Sequence, residues 1–327
     1  MIKTTKAQAC SNIALIKYWG KRDAALNLPQ NGSLSLTLDG MITTTTVHWD
    51  PGYAEDEVSL NGKLLADSEL TKMSQFLDLV RKQAGFTLKA KVESQNNFPT
   101  AAGLASSASG FAALALASSR AAGLDLDPQA LSILARQGSG SASRSIFGGF
   151  AQWKKGELTD GSDSYAEQVL PPDAWPDVRM LVVVLEPRPK PISSRSGMTQ
   201  TVATSPMYPA WLETVGADLD TARKALDERD LEALGTVAEA NALKMHATML
   251  TTLPTILYWQ PTTVALMHQV WELRRDGVPG WFTIDAGPNV KVLTDATNAP
   301  KLADALGAVE GVERVLICAP GDGAAIC

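Results

Sequence analysis

The chain has 327 residues, of which 45% are apolar and 20% are charged, and its net charge is −6. This apolar content is enough for one large hydrophobic core or two smaller ones and argues against disorder. The acidic balance disfavours nucleic acid as a partner. It does not exclude a small anionic substrate, because such a site needs only a local basic cluster.

Targeting and redox features predict a cytoplasmic protein without a membrane partner. The N-terminal segment MIKTTKAQACSN is too polar for a signal peptide, and no apolar stretch approaches the roughly 20 residues that span a bilayer. Cys10, Cys318 and Cys327 lie far apart, which excludes a disulfide framework or a CxxC metal site and fits a reducing compartment. The three histidines share no metal-ligand spacing.

The first half of the chain alternates predicted strands with predicted helices. Enrichment in β-branched residues, apolar–polar alternation or aliphatic runs predict strands over residues 41–49, 87–93, 147–153 and 180–185. Apolar residues at three-and-four spacing predict helices over residues 70–85, 106–122 and 128–137. Asp127 and Pro128 supply an N-cap and a first helical residue for the last of these helices.

Composition changes after residue 186. The segment PRPKPISSRSGM, residues 187–198, has three prolines in its first half and predicts a domain linker or binding loop without a regular element. Beyond it, the patterns predict helices over 211–230, 231–250, 261–277 and 299–308, and strands over 281–285, 290–294 and 314–318. The chain is therefore predicted to be an α+β protein with two lobes, residues 1–187 and 188–327.

A small-residue segment, PTAAGLASSASG at residues 99–110, leads into the alanine-rich helix. Free backbone N–H groups and the positive end of the helix dipole make such a position an anion site. Gly103 permits close approach of the backbone, and Ser106 and Ser107 can cap the helix or donate to phosphate oxygens. The alternative is a tightly packed loop with Ser106 as an ordinary N-cap. The segment is not a Walker A loop.

A second glycine–serine segment is GSGSASRSIFGG at residues 138–149. Ser143 stands where a dinucleotide fingerprint has its third glycine, and a helix precedes the segment, so a Rossmann site is disfavoured. Hydroxyl and N–H groups with the guanidinium fork of Arg144 suit a carboxylate or a phosphate. The alternative is a flexible surface loop with a solvated arginine.

Two further clusters have a functional and an ordinary interpretation. In IKYWGKRD, Lys17, Lys21 and Arg22 flank two aromatic residues, as either a solvated edge or an anion-binding surface. In FTIDAGPNVKV, Asp285 ends an apolar strand, where a carboxylate is either a turn-forming residue or a catalytic acid–base group. The residues alone favour the turn.

Six segments together resemble one family. They are SNIALIKYWGKRD, NGSLSLTLDGMITTTT, PTAAGLASSASG, GSGSASRSIFGG, PISSRSGMTQTVATSP and FTIDAGPNVKV. In this order and spacing they resemble the diphosphomevalonate decarboxylase family of the GHMP kinase superfamily, from about residue 8 to about residue 293. The resemblance implies a GHMP lobe with a left-handed βαβ unit, a ferredoxin-like C-terminal lobe, an active site between them and a homodimer.

The resemblance also implies the chemistry. Family members transfer the γ-phosphoryl group of ATP, with Mg²⁺, to the 3-hydroxyl of mevalonate 5-diphosphate. Phosphate and CO₂ then leave, giving isopentenyl diphosphate. By resemblance, the nucleotide would contact Pro99, Ala102, Gly103, Leu104, Ala105, Ser106, Ser107 and Ala108. Ser106 or Ser107 would lie near the γ-phosphate or its magnesium ion.

Catalytic and substrate-binding residues are implied in the same way. Asp285 would act on the 3-hydroxyl as a general base or as an orienting charge, Arg144 would hold the substrate carboxylate, and Lys17 would support Asp285 or the developing phosphate charge. The other substrate-binding positions would be Tyr18, Trp19, Gly20, Lys21, Lys72, Ser139, Gly140, Ser141, Ala142, Ser143, Ser194 and Arg195.

Three alternatives stay open at this point. An enzyme that decarboxylates mevalonate 5-phosphate would differ only subtly, around Lys21 and Arg195. An enzyme that stops at 3-phosphorylation should lack the pairing of Lys17 with Asp285, and both residues are present. A non-catalytic GHMP-fold sensor would be free to lose Asp285 or the loop serines, and this chain keeps them.

Overall fold

The computed structural model describes residues 4–98, 106–186 and 192–327. The strands are β1 (Thr4–Ile16), β2 (Lys21–Asp23), β3 (Leu28–Pro29), β4 (Ser33–Asp50), β5 (Glu57–Leu60), β6 (Lys63–Leu64), β7 (Lys89–Asn96), β8 (Phe150–Trp153), β9 (Ala166–Leu170), β10 (Val178–Leu185), β11 (Trp281–Ile284), β12 (Val290–Asp295), β13 (Val312–Cys318) and β14 (Ala325–Ile326). The α-helices are α1 (Asp67–Ala84), α2 (Ser106–Ala121), α3 (Pro128–Gly138), α4 (Ser194–Thr204), α5 (Tyr208–Glu228), α6 (Leu231–Leu250), α7 (Pro261–Arg275) and α8 (Ala299–Gly307). Short 3₁₀ helices span Gly140–Ile146 and Pro172–Ala174.

The larger sheet is built around β1 and β4, in the order β14-β1-β4-β7-β5-β6. β4 is long enough to pair with β8 through its first residues and with β7 through its last, and β9 extends the sheet beyond β8. β5 and β7 are parallel neighbours with α1 between them in the chain, and the other pairs of this sheet are antiparallel. The strand–helix–strand unit expected in this lobe is therefore β5–α1–β7.

The alanine-rich helix α2 packs against β1 and β4 with most of its side chains buried. Alanine favours helix strongly, and its small side chain lets a helix lie close to a sheet. Polar anchors fix this contact: Ser109 Oγ lies 2.6 Å from Thr43 Oγ1 and 3.1 Å from Ser11 Oγ. Trp49 Nε1 donates to the carbonyl of Ser118 at 3.2 Å.

The smaller sheet has the order β11-β12-β10-β13 and is antiparallel. Helices α4 to α7 connect its first two strands in the chain, and α8 connects its last two. This β-α-β-β-α-β arrangement is ferredoxin-like, as expected. Both faces of β10 are buried: Met180, Val182 and Val184 belong to the core shared with α5 and α6, and Leu181, Val183 and Leu185 to the core beneath α7 and α8. A strand that is buried on both faces needs apolar side chains at every position, which explains the purely aliphatic sequence of residues 180–185.

The structure contradicts one prediction and adds two features that the sequence analysis did not give. Helix α4 begins at Ser194, inside the range predicted to lack a regular element, because the Ser193 side chain caps it by accepting from the amide of Ser196 at 3.1 Å. β10, assigned from sequence to the first lobe, pairs with β12 and β13 of the second sheet. The long strand β1 was not predicted. The lobe boundary at residue 187 stays a prediction, and residues 187–191 lie outside the described residues.

The C-terminal segment ties the second lobe to the first. Leaving β13, it bonds to the larger sheet through Gly321, whose amide donates to the carbonyl of Thr37 at 2.8 Å and whose carbonyl accepts from Gly149 at 2.9 Å. A Cβ on Gly148 would lie 2.8 Å from the amide nitrogen of Gly323 and 2.9 Å from the oxygen of Gly321. The backbones touch here, so only glycine fits.

Within residues 4–98, 106–186 and 192–327, none of the helices has both the length and the apolar content that crossing a membrane would require. Cys10 and Cys318 are buried thiols and Cys327 is an exposed one, and none of the three is in a disulfide.

We expect Gly148→Ala to lower the free energy of unfolding by about 1–3 kcal/mol, because the new methyl group collides with backbone atoms that cannot move independently. Gly110→Ala is the matched control: it lies in α2 with open space at its Cβ, and should raise stability by about 0.5–1 kcal/mol. Urea unfolding midpoints measure both changes. Equal effects of the two substitutions would show that the C-terminal segment is not packed as described.

Candidate active site

A cleft opens where β1 and β11 end and where α2, α4 and the 3₁₀ helix Gly140–Ile146 begin. Among the described residues it is lined by Asn12, Ala14, Lys17, Tyr18, Trp19, Lys21, Asn27, Lys72, Ser106, Ser107, Gly138, Ser139, Gly140, Ser141, Arg144, Ser194, Arg195, Met198, Met245, Asp285 and Ala286. Most of the predicted catalytic and substrate-binding residues therefore meet in one place, although they come from both lobes.

An ion pair stands at the base of the cleft. Lys17 directly follows β1, and its Nζ donates to Asp285 Oδ1 at 2.6 Å and to the carbonyl of Ala14 at 2.8 Å. Lys291, on the neighbouring strand β12, places its Nζ 3.1 Å from Asp285 Oδ2. Each carboxylate oxygen thus has its own ammonium partner. Both lysines are 1% exposed, whereas the side chain of Asp285 is 27% exposed.

The charges of this cluster decide its protonation. Burial lowers the pKa of Lys17 to about 8, and Asp285 opposes that shift. Burial by itself would raise the pKa of Asp285, but Lys17 and Lys291 hold it well below its usual range. Asp285 is therefore ionised at neutral pH and is a weak base. Lys291 was missed at the sequence level, where the only signal was a lysine inside an otherwise apolar strand.

Arg144 is buried, lines the same cleft and is held by hydrogen bonds. Its Nε donates to Asn12 Oδ1 at 3.3 Å and its Nη1 to Ser33 Oγ at 2.5 Å. Asn12 Nδ2 in turn donates to Ser145 Oγ at 2.8 Å. Burial lowers the pKa of Arg144 to about 10, partly opposed by Asp285, so the guanidinium stays charged at neutral pH. Sequence analysis missed Asn12, a polar residue within the apolar end of β1.

Among the residues that the structure describes, Arg144 has no carboxylate within ion-pair distance. A guanidinium that is 2% exposed and unmatched by protein charge is expensive unless a ligand supplies the anion. The cleft wall around Arg144 is therefore suited to an anion, and the choice between a carboxylate and a phosphate stays a prediction.

The glycine–serine segment is a 3₁₀ helix with mostly buried residues rather than a flexible surface loop. Ser139 Oγ lies 3.3 Å from Ser107 Oγ and 3.4 Å from Ser141 Oγ, which forms a row of hydroxyls in the cleft. A Cβ on Gly140 would lie 2.7 Å from Trp153, so a glycine is needed for this close approach. Ser143 points inward and donates to the carbonyl of Gly140 at 2.7 Å. Ser143 and the fully buried Ala142 do not line the cleft.

Tyr18 presents an unused hydrogen-bonding group. Its hydroxyl is buried and has no partner among the described residues, and burial raises its pKa, so it remains a donor. Gly20 shapes this turn without lining the cleft. Its φ of +96° suits glycine, and a Cβ there would lie 1.9 Å from the hydroxyl of Tyr208. That hydroxyl donates to the carbonyl of Trp19 at 2.8 Å.

Three cations, Lys21, Lys72 and Arg195, line the same cleft as the hydroxyl row and are called the basic rim. Burial lowers the pKa of Lys21 to about 8, and the charges of Arg195 and Lys72 lower it further. Burial also lowers the pKa of Lys72, again with a contribution from Arg195. Lys21 Nζ donates to Asn27 Oδ1, and within the described ranges none of the three cations has an ion-pair partner. Mutually repelling cations without carboxylates form a site for a multiply charged anion.

The predicted nucleotide loop is described only in part. Pro99, Ala102, Gly103, Leu104 and Ala105 lie outside the described residues. Ser106 and Ser107 line the cleft at the start of α2, whereas Ala108 is wholly buried in the core and does not line it. The first turn of α2 contains no acidic residue, so the positive end of its dipole is not neutralised there.

Ser106 and Ser107 are the described hydroxyls at the start of α2 that could be ligands of a metal ion. In the described part of the chain, no group of three or more histidine, cysteine or carboxylate side chains is arranged to hold a metal. Mg²⁺ is usually bound by one or two protein oxygens together with substrate phosphates and water. Ser106 and Ser107 fit that limited requirement.

A histidine stands behind the ion pair. His246, 3% exposed on α6, has its Nε2 3.2 Å from the carbonyl oxygen of Ile284, the residue before Asp285. Its ring centre lies 4.8 Å from that of Trp259. Burial lowers the pKa of His246 to about 3, and Lys17 also opposes its protonation. The imidazole is therefore neutral at physiological pH.

Two family models match the chain. One describes the diphosphomevalonate decarboxylase-like N-terminal domain and matches residues 9–166. The other describes the mevalonate 5-diphosphate decarboxylase C-terminal domain and matches residues 180–317. Together the two models span most of the chain, and every residue named above as lining the cleft lies within one of them.

Similar proteins have the same description. Diphosphomevalonate decarboxylase of Candida albicans is 38% identical over 308 residues, covering 90% of this chain and 85% of the relative. The protein of that name from Bos taurus is 40% identical over 303 residues, covering 86% of this chain and 74% of the relative.

Solved structures with the same fold extend the comparison. Mevalonate diphosphate decarboxylase from Staphylococcus aureus is 43% identical with a TM-score of 0.95, covering 100% of this chain and 98% of that one. A structure of MDDEF in complex with MVAPP, AMPPCP and magnesium is 47% identical with a TM-score of 0.93, covering 99% and 98%.

We expect stability to depend on pH through His246. Below about pH 6.5 the imidazole of His246 binds a proton in the unfolded chain, whereas in the folded protein it stays neutral down to about pH 3. The free energy of unfolding therefore falls as the pH falls through this range. The slope should be on the order of 1 kcal/mol per pH unit. Urea unfolding at pH 7, 6 and 5 should show a shallower slope for His246→Gln than for wild type. The exposed His268 is the control, and His268→Gln should keep the wild-type slope. Equal slopes for His246→Gln and wild type would contradict the expectation.

Proposed function

The chain belongs to the diphosphomevalonate decarboxylase family, and we propose that the cleft between β1 and β11 is where its reaction occurs. The protein has the two-lobed GHMP kinase fold. It is an ATP-dependent decarboxylase of isoprenoid biosynthesis, which converts mevalonate 5-diphosphate and ATP into isopentenyl diphosphate, ADP, phosphate and CO₂. The observation that carries the assignment to this cleft is that the Lys17–Asp285 pair lines it together with Arg144 and with three cations, Lys21, Lys72 and Arg195, that have no ion-pair partner among the described residues.

The basic rim is the proposed site for the diphosphate of the substrate. Lys21, Lys72 and Arg195 supply positive charge, and the unpartnered hydroxyl of Tyr18 supplies a hydrogen bond. Ser139, Ser141 and Ser194 add hydroxyls beside them, and Trp19 forms part of the wall. A diphosphate would relieve the mutual repulsion of the cations, which supports the larger anion over a monophosphate.

Arg144 is the proposed partner of the substrate carboxylate. Asn12 and Ser33 fix the guanidinium through Nε and Nη1, while its remaining donors stay available to the cleft. As CO₂ leaves, the electron pair of the broken C–C bond moves into the new double bond. Arg144 therefore has to orient the carboxylate without binding its charge more tightly in the ground state than in the transition state.

Asp285 is the proposed partner of the 3-hydroxyl. Because Lys17 and Lys291 make its carboxylate a weak base, we assign it the orientation of the hydroxyl by accepting a hydrogen bond, rather than complete removal of the proton before transfer. Lys17 balances the charge of Asp285 and lies close enough to stabilise negative charge that develops nearby. Transfer of the phosphoryl group makes the hydroxyl a leaving group.

Ser106 and Ser107, at the positive end of α2, are the proposed contacts of the ATP phosphates and of Mg²⁺. When bound, ATP would supply the phosphoryl group, and Mg²⁺ would neutralise part of the negative charge of the phosphates. The serine hydroxyls and the backbone N–H groups of the first helical turn would hold the ATP phosphates.

Three further properties belong to the proposal. The two lobes are residues 1–187 and 188–327, with β10 as the strand through which the first lobe joins the second sheet. A homodimer follows from the resemblance, and light scattering on a size-exclusion column tests it. A cytoplasmic location is supported by the three thiols, which fit a reducing compartment.

The substrate is tested by CO₂ release with Mg-ATP, offering mevalonate, its 5-phosphate and its 5-diphosphate in parallel. We expect release from the diphosphate only, because the basic rim matches its charge. The control is the same protein with the diphosphate and ADP in place of ATP, which should release nothing. Release mainly from the monophosphate would reassign the substrate. No release from any of the three by folded protein would favour a sensor.

Two substitutions separate the proposed roles. Asp285→Asn should lower kcat by a factor of about 10³ or more while the affinity for ATP changes less than about threefold, since the nucleotide contacts lie on α2. Arg144→Gln should allow phosphoryl transfer, measured as ADP formed, to exceed CO₂ released. Binding titrations and a steady-state assay of both products measure these effects. Activity of Asp285→Asn within tenfold of wild type, or equal loss of both products in Arg144→Gln, would reject the assigned roles.

A further inference from the structure

Helix α6 lies against the ends of both strands that carry the ion pair. The last ladder pairs are Ile16 with Leu34 in β1 and Ile284 with Val290 in β11. Lys17 and Asp285 come one residue later, so the sheet ladders do not extend to either of them. Something other than strand pairing has to fix the distance between these two residues.

Asn241 on α6 fixes the first residue of the pair. Its side chain is fully buried, and its Oδ1 accepts a hydrogen bond from the backbone amide of Lys17 at 2.8 Å. Its Nδ2 donates to Asp218 Oδ2, on α5, at 2.7 Å. Lys244 Nζ donates to the same carboxylate oxygen at 2.5 Å. The amide of Asn241 is thus locked in one orientation, with its oxygen toward Lys17.

His246 and Glu239, on the same helix, fix the strand that carries the second residue of the pair. The carbonyl of Ile284 can only accept, so His246 donates to it from Nε2 at 3.2 Å. Glu239 Oε2 accepts from the amide of Phe282 at 3.1 Å. Trp271 Nε1 donates to Glu239 Oε1 at 2.8 Å, which steadies this carboxylate. Side chains of α6 therefore hold the backbone on both sides of the cleft base.

We propose that α6 is a positioning element for the reaction, and that Asn241 and His246 set the geometry of the Lys17–Asp285 pair. The inference rests on the proposed function, in which that pair acts on the 3-hydroxyl. Neither residue lines the cleft, so neither is assigned a contact with substrate. A displacement of about 1 Å at a catalytic group can lower a rate about 10²-fold, so two backbone hydrogen bonds are enough to matter.

The test compares Asn241→Leu and His246→Phe with Thr248→Val. The first two keep side-chain volume and remove the hydrogen bond to the strand. Thr248 is equally buried on α6, but its hydroxyl donates within the helix, to the carbonyl of Met245 at 2.7 Å. We expect kcat to fall at least tenfold in the first two variants, the Kd for mevalonate 5-diphosphate to stay within about threefold, and Thr248→Val to resemble wild type.

Two milder variants keep the test informative if a larger change prevents folding. His246→Gln retains a donor, so it should recover a large part of the kcat lost in His246→Phe. Asn241→Ser is too short to reach the amide of Lys17, so it should lose kcat as Asn241→Leu does. Circular dichroism and thermal midpoints identify the folded variants to be compared.

A double substitution distinguishes positioning from general damage. If both residues act on one ion pair, Asn241→Leu with His246→Phe should lower kcat by clearly less than the product of the two single effects. Effects that multiply, a kcat no lower than in Thr248→Val, or loss of substrate affinity with kcat unchanged would overturn the inference. Absence of CO₂ release by the wild-type protein would instead reject the proposed function itself.

Discussion

The carboxylate of Asp285, held between Lys17 and Lys291, is the interaction on which the rest of the site depends. Three charged groups at low exposure are stable only when their geometry is well fixed, since each would otherwise retain a desolvation cost of several kcal/mol. The fold meets this requirement by joining three strand segments at one point and placing α6 behind them. The same arrangement leaves one face of the carboxylate open to the cleft, where it can act on a substrate.

Charge distribution explains how an acidic protein binds a strongly anionic substrate. The net charge of −6 is a property of the whole chain, whereas the cleft gathers Arg144, Lys21, Lys72 and Arg195, and none of these four cations has an ion-pair partner in the described part of the chain. In the proposed function, phosphate and carboxylate groups of the ligands relieve the repulsion among these cations. In the free protein this repulsion lowers the free energy of unfolding, but the cations are already in position when the substrate binds.

Much of the fold follows from local sequence patterns. Asp127 caps the start of α3 and the left-handed Gly85 ends α1, both where predicted, because their chemistry acts over a few neighbouring residues. The aliphatic run at residues 180–185 identified a buried strand but not its sheet, since pairing partners lie more than 100 residues away in the chain. The start of α4 was missed because three prolines shortly before it dominate the pattern of that segment.

The sequence by itself determined the family, the α+β class and the residue types that the reaction needs, because glycine, serine and charged residues keep their local chemistry wherever the chain places them. Only the tertiary structure decided which of them meet. It brought Lys291 to Asp285 and Asn12 to Arg144, and it turned Ser143 away from the cleft. The Asn12–Arg144 contact joins residues 132 positions apart, and the Lys291–Asp285 contact joins β12 to the residue that follows the neighbouring strand β11. Both depend on strand register and helix packing, which no short stretch of sequence encodes.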